Sequence, residues 1–160
     1  MSIENKKPDF NDVLAAAARI APHAHVTPVL QSSSLSDLIG AELFFKCENF
    51  QHAGAFKFRG ACNAVWNLSE QAAVNGVVTH SSGNHGAALA LAAKTRGIRA
   101  HIVVPEGANP AKLKAIEQAG GQISFCVNTM QARDDAAKKI QHATHANMIH
   151  PYTNPEVIAG

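Results

Sequence analysis

The sequence predicts an α/β fold in which a doubly wound parallel sheet forms the second half of the chain. Between residues 76 and 150, short apolar runs alternate with segments rich in helix-forming residues. Strands that alternate with helices of about 10–15 residues are typical of βαβ units, whose crossovers make the strands parallel. The strands stay apolar on successive positions, as at Ile102-Val103-Val104 and Ile123-Ser124-Phe125. This pattern is expected where helices cover both faces of a sheet.

The sheet is predicted to have four strands separated by three helices. The strands are expected at 76–79, 99–104, 122–127 and 147–150. The helices are expected at 85–96, 110–119 and 129–143. Pro110 suits the first turn of its helix, and glycines at 97 and 120 suit helix ends. Residues 81–86 then form the turn at the carboxyl edge of the first of these strands.

The first 75 residues contain too few strands for a sheet of their own. Asp9 is expected to cap a first helix that ends at Pro22. Its apolar face is predicted to consist of Phe10, Val13, Leu14, Ala17 and Ala21. Further elements are expected as an extended segment at 27–30, a helix at 33–39, a strand at 42–48, a helix at 63–68 and a short helix capped by Ser69.

These elements predict three parts of the chain. Residues 1–75 are expected to be the amino-terminal part of a larger domain, and residues 76–152 a small parallel-sheet domain. Residues 153–160 are expected to begin a return to the larger domain, whose remainder is absent from this sequence. Apolar surface is therefore expected on the first 75 residues.

The composition is that of a globular chain with a large interior. Of 160 residues, 46% are apolar and 16% charged, and the net charge is only +2 with scattered basic residues. This balance argues against a nucleic-acid-binding protein. The chain shows no membrane-length apolar run and no signal-peptide core, so we expect a cytoplasmic protein. Cys47, Cys62 and Cys126 are widely spaced, which predicts reduced and buried thiols of a cytoplasmic protein.

Two pairs of histidines have spacings found in metal sites. His23 lies two residues before His25, and His142 lies three residues before His145. Neither pair has a third ligand placed by spacing, and isolated pairs are more often solvated side chains. We therefore predict no metal site.

The turn at residues 81–86 concentrates polar side chains beside glycines. Its sequence is Ser81-Ser82-Gly83-Asn84-His85-Gly86. Backbone N–H groups at a helix start have no intrahelical partner and attract anions, so such a turn can bind a ligand. The alternative is an ordinary turn in which a serine or asparagine caps the helix.

Lys57 lies between Phe56 and Phe58, two residues before Arg59. An apolar setting near a second cation favours an uncharged amine, which is the form that acts as a nucleophile. The alternative is a solvated lysine, because lysine is seldom buried.

Three segments resemble one known family in the same order. Residues 53–61, Ala-Gly-Ala-Phe-Lys-Phe-Arg-Gly-Ala, resemble its pyridoxal-phosphate lysine motif, and residues 81–86 resemble its substrate and cofactor loop. Residues 150–160 resemble a third segment. The family is the pyridoxal-phosphate-dependent serine/threonine dehydratases and serine racemases, of fold type II (tryptophan synthase beta-like), and the resemblance extends over nearly the whole chain from Thr27.

The resemblance implies a role for each matched residue. Lys57 would bind pyridoxal 5′-phosphate covalently and then remove the substrate Cα proton, Phe56 would pack beside the cofactor ring, and Asn84 would hydrogen-bond a ring oxygen. Ser81, Asn84 and His85 would bind the substrate carboxylate. Ser82 would lie on the ring face opposite Lys57, where a hydroxyl can exchange a proton.

The resemblance further implies dehydration and deamination of L-threonine or L-serine to a 2-oxo acid and ammonia, or alternatively serine racemisation. Many threonine dehydratases carry alanine at the position of Ser82, so this serine favours serine-acting or racemising relatives. Tyr152 and Thr153 differ from the family pattern, which leaves the substrate side-chain pocket open. The family also implies a small hydroxy amino acid as ligand, a homo-oligomer, and no membrane or nucleic-acid partner.

The chain has about half the usual length of that family. The expected phosphate cradle, the group facing the pyridine nitrogen and the racemase metal site would all lie beyond Gly160. A partial or truncated form, inactive alone, is therefore expected. A second hypothesis is an inert binding or assembly module. A third, a hydrolase using Ser82 and His85, lacks the Gly-x-Ser-x-Gly motif and an acidic partner.

Overall fold

A computed structural model describes residues 7–160. Its helices are α1 (Phe10–Ile20), α2 (Ser33–Ile39), α3 (Lys57–Trp66), α4 (Glu70–Ala73), α5 (Asn84–Arg96), α6 (Pro110–Gln118), α7 (Met130–Thr144) and α8 (Pro155–Ala159). Its strands are β1 (Val29–Gln31), β2 (Phe44–Lys46), β3 (Val77–His80), β4 (Ala100–Pro105), β5 (Gln122–Cys126) and β6 (Asn147–Met148).

Four strands form the predicted parallel sheet, in the order β5-β4-β3-β6. Val77 is opposite Ala100 in β4 and Asn147 in β6, and all three strand pairs are parallel. The fold class is thus confirmed, and most predicted ends lie within one residue of the observed ones. The last strand is shorter than predicted, because its ladder ends where Ile149 N donates to Val78 O.

The two faces of the sheet pack against different helices. Val77 and Ile102 join the core formed with α3 and α5, whereas Val78 and Val103 pack against Ala137 of α7. β5 is an edge strand and is covered less completely than expected. Ile123 packs against the core formed with α3 and α5, and Cys126 packs against the cluster around Ala137, but Phe125 is 58% exposed.

The strands described in the amino-terminal part form one antiparallel pair, β1–β2, whose residues are all exposed. The helix expected at 63–68 begins earlier, at Lys57. Gly60 lies in the interior of this helix although glycine is a poor helix former. A larger residue would clash with α8, because a Cβ at this position would lie 2.3 Å from Val157 O. The close approach of α8 to α3 therefore requires glycine at this position.

The first helix is capped as predicted, but its buried face is not the predicted one. Asp9 and Asp12 form a capping box. The helix buries Ala16 and Ile20, the side that packs on α3 and α8, and leaves Phe10 72% exposed. The predicted apolar surface is present here. It includes Val13, Leu14, Val29, Leu30, Leu38, Phe44, Phe45 and Phe50, all exposed.

Within the described residues, no helix combines the length and apolarity needed to cross a membrane. The three cysteines are free thiols. Cys62 is buried, and desolvation raises its pKa to about 11, but Cys47 and Cys126 are only half-buried, so the predicted burial is wrong for these two. Residues 7–160 contain no group of three or more His, Cys, Asp or Glu arranged to hold a metal ion.

Candidate active site

The turn between β3 and α5 is tight and leaves the helix start without a side-chain cap. Gly83 is the N-cap residue and makes no side-chain capping bond, so the alternative of an ordinary turn capped by serine or asparagine does not hold. Instead, Ser81 Oγ accepts from Gly83 N at 3.3 Å. A Cβ on Gly86 would lie 2.5 Å from Ser81 O, so the turn can close only over glycine. The positive end of a 13-residue helix is thus available to an anion.

Lys57 is the first residue of α3 and its amine has a definite partner. Lys57 Nζ donates to Pro151 O at 2.9 Å and lies 5.3 Å from the centre of the Phe56 ring. The side chain is half-buried and borders a hollow of about 140 Å³ between α3 and α8. Phe56 is 60% exposed and Phe58 is buried, so the lysine is not enclosed between two aromatic rings as its sequence neighbours suggested.

His85 is buried and neutral. It is 3% exposed, and its Nε2 lies 3.3 Å from Ile149 O, which can only accept, so Nε2 carries the hydrogen. Nδ1 has no partner among the described residues. Burial lowers the pKa of His85 to about 4, opposed by the bond to Ile149 and assisted by the charge of Lys57. A ring in this state has no free N–H to donate to an anion.

Ser82 and Asn84 present unengaged polar groups on the same turn. Ser82 is half-buried and Asn84 is exposed. Neither side chain forms a hydrogen bond with another residue of the range 7–160. Ser82 therefore makes no hydrogen bond with His85, whose Nε2 is directed at Ile149 O and whose Nδ1 has no partner among the described residues. This arrangement gives no support to a Ser–His hydrolase, because the nucleophile and base of such a site are hydrogen-bonded.

The histidine pair His80 and His150 lies at the same edge of the sheet and was not predicted from the sequence. His80, the last residue of β3, has Nε2 3.0 Å from Asp134 Oδ1, a distance typical of an ion pair although not aligned as a hydrogen bond. Its ring centre lies 5.1 Å from that of His150. Burial lowers the pKa of both imidazoles, and Asp134 opposes the shift in each. Their positions in the sequence could have indicated a place near the site, because His80 directly precedes the turn and His150 directly precedes Pro151.

An ion pair fixes the first turn of α3 to the preceding segment. Arg59 Nε and Nη2 donate to the two Glu48 carboxylate oxygens at 2.8 and 2.6 Å, and Thr27 Oγ1 donates to Glu48 at 2.5 Å. Hydrogen bonding to Arg59 lowers the pKa of Glu48 to about 2, despite the opposing effect of burial. Arg59 is thus a structural partner of Glu48 and anchors the helix that carries Lys57.

A larger cleft, of about 850 Å³, lies elsewhere. It is lined by the ends of α3 and α7 with β6, and by Asn154 and Glu156. Of the residues singled out from the sequence, the histidine pair His142 and His145 lines it, whereas Lys57 and residues 81–86 do not. The polar groups that converge chemically are instead those of residues 81–86, Lys57 and the segment 149–151.

Comparison with known proteins identifies the family. Residues 20–160 match the family model described as pyridoxal-phosphate dependent enzyme. A serine racemase of Oryza sativa subsp. indica is 49% identical over 152 residues, covering 95% of this chain and 45% of the relative. A beta-hydroxyaspartate dehydratase of Paracoccus denitrificans (strain Pd 1222) is 48% identical over 153 residues, covering 96% and 49% respectively.

A solved structure shows the same arrangement of elements. The structure of maize serine racemase matches with a TM-score of 0.94 and 46% identity, covering 96% of this chain and 47% of that one. The chain thus spans about half the length of the relatives it matches. The family model covers most of the chain, and the relatives agree with it in fold and sequence. The chain therefore belongs to the pyridoxal-phosphate dependent enzymes of fold type II, the family of amino acid racemases and dehydratases.

Proposed function

We propose that the protein containing this chain removes the Cα proton of L-serine, returning it on the opposite face as a serine racemase and also eliminating water as a dehydratase. The observation that carries the proposal is the pairing of a lysine amine, held by Pro151 O, with the uncapped polar turn at residues 81–86. Two of the relatives reported above are named as a serine racemase and a beta-hydroxyaspartate dehydratase, which supports both reactions.

The residues present fit pyridoxal phosphate. Lys57 supplies a primary amine whose recorded hydrogen bond is to a main-chain carbonyl, an interaction that a covalent partner can replace. The polar side chains of Ser82 and Asn84 form no hydrogen bond with the described part of the chain and are available to a ligand. The α5 N-terminus offers N–H groups to a carboxylate. Within this chain, Lys57, Phe56 and Asn84 would hold the cofactor, and Ser81 and Asn84 together with the main-chain N–H groups of the turn would hold the substrate.

When bound, pyridoxal phosphate supplies an electron sink that stabilises negative charge at the substrate Cα. The protein supplies orientation and proton carriers. We assign to Lys57 Nζ the removal of the Cα proton, and to the Ser82 hydroxyl the holding of a proton on the other face. His85, neutral and fixed to Ile149 O, shapes the turn without competing for that proton.

Racemisation and dehydration diverge after proton removal. Racemisation needs a proton donor on the second face, for which Ser82 is our candidate, whereas dehydration needs loss of the β-hydroxyl. Positioned proton transfer contributes about 10²–10⁴-fold. Replacing Ser82→Ala is therefore expected to lower racemisation by a factor in that range and to affect elimination from L-serine much less.

The assay measures keto acid formation together with the chirality of residual serine. The assay uses a protein in which this chain is followed by a carboxy-terminal half, so that its total length equals that of its relatives. Lys57→Ala is expected to abolish both activities, while Lys112→Ala and Ser34→Ala, at exposed positions on α6 and α2, serve as controls. Equal loss of both activities in Ser82→Ala would show that Ser82 holds the turn rather than serving the second face.

A further inference from the structure

Lys57 and Pro151 are far apart in the sequence, so the hydrogen bond between them depends on other contacts that bring their two segments together. Pro151 is buried and lies just before α8, while Lys57 begins α3. Two helices with an 8–10 Å axial spacing usually meet through side chains. α8 instead meets α3 at backbone distance, where Gly60 faces Val157 O and Gly160 faces Asn63. The placement of Pro151 O therefore depends on how α8 sits on α3.

Asn63 is the polar residue at the centre of that contact. Its side chain is fully buried, and its Nδ2 donates to Glu156 O at 2.8 Å and to Glu156 Oε2 at 3.0 Å. Its Oδ1 accepts from Arg19 Nη1 at 2.5 Å. An amide alone provides donors to α8 and an acceptor to α1 from one short side chain. Aspartate has no donor, and leucine has neither group.

We propose that Asn63 is a positioning residue for Lys57. By bonding the main chain of α8, it sets the position of the segment leading back to Pro151, and so the carbonyl that orients Lys57 Nζ. The same segment carries Ile149 O, the partner of His85. Asn63 thus aligns both basic side chains of the site without touching either. This inference rests on the proposed function, because that function makes Lys57 the reacting amine.

The test follows the reactivity of Lys57 without cofactor or substrate. Brief reductive methylation with formaldehyde and a borohydride, followed by peptide mass spectrometry, gives the labelling of Lys57 relative to exposed Lys112. In Asn63→Asp, loss of the donor and repulsion from Glu156 release α8, so Lys57 loses its carbonyl partner. The ratio is expected to rise about fivefold, the factor for one hydrogen bond of about 1 kcal/mol.

The matched control is Glu156→Gln, which keeps the main-chain bond to Asn63 and is expected to retain the original ratio. A purely structural role for Asn63 would lower the free energy of unfolding while leaving the ratio in folded protein unchanged. An unchanged ratio in folded Asn63→Asp overturns the proposal.

If Asn63→Asp does not fold, Gly60→Ala decides, because its Cβ displaces α8 from α3 while leaving the Asn63 side chain intact. A raised ratio supports the link between α8 and Lys57, and an unchanged ratio overturns it. Absence of racemase or dehydratase activity would refute the proposed function but would leave this labelling result intact.

Discussion

Burial of His85 is expected to make folding sensitive to mild acid. The ring is 3% exposed, and its pKa is lowered from 6.5 to about 4 in the folded protein. The folded pKa lies below the unfolded one, so the unfolded state binds more protons between these values. Above pH 6.5 this group therefore does not reduce the free energy of unfolding. As the pH falls from 6.5 towards 4, the unfolded state takes up the proton first and the free energy of unfolding decreases.

The magnitude follows from the two pKa values. With 6.5 unfolded and about 4 folded, lowering the pH from about 7.5 to 5 reduces the free energy of unfolding by about 2 kcal/mol through this one group. In His85→Gln, the amide can still donate to Ile149 O but does not titrate. The variant is therefore expected to lose about 2 kcal/mol less than the parent over that pH interval.

Urea denaturation at the two pH values measures this difference. His142→Gln is the matched control, since His142 is exposed on α7 and is expected to change the pH dependence little. An identical pH dependence in parent and His85→Gln would refute the reasoning, because it would mean that His85 is not held neutral by burial.

Two further predictions concern stability. Glu48→Gln should lower the free energy of unfolding near neutral pH by about 1–2 kcal/mol, less than the full pKa shift implies because the pair with Arg59 borders solvent. The depressed pKa of Glu48 stabilises the folded protein above pH 4.5, and this stabilisation is lost as the pH falls towards 2. The free energy of unfolding of Glu48→Gln should therefore depend less on acid pH than that of Glu117→Gln. An equal pH dependence in the two variants would contradict this. Gly86→Ala should lower the free energy of unfolding by about 1–3 kcal/mol, because its Cβ meets a main-chain oxygen at 2.5 Å. Gly83→Ala, whose Cβ meets open space, should cost far less in the same urea titration, and equal costs would show that the turn is not tight.

The local part of the fold could be read from the sequence because its causes are local. Strand and helix periods, the Asp9 cap and the left-handed helix ends at Gly40 and Gly97 depend on residues a few positions apart. The same holds for the turn at 81–86, where the neighbouring strand and helix predict its place at the sheet edge. The positions of Lys57 and Ser82 within recognisable motifs came from the resemblance, which the family match supports.

Contacts between distant segments could not be read in this way. The buried side of α1 depends on α3 and α8, and the exposure of Phe125 depends on which strand lies at the edge. The pairing of His80 with Asp134 likewise requires α7 to cross the sheet at that point.

The sequence by itself determined the α/β class, the four parallel strands and the chemical identity of the groups at the turn. Only the tertiary structure decided which of those groups are engaged. Lys57 is bound to Pro151, 94 positions away, and His85 to Ile149, 64 positions away. The physical reason is that the local sequence pattern reflects burial and backbone preference. A hydrogen-bond partner, in contrast, depends on how whole elements pack, as α8 packs on α3 through Asn63.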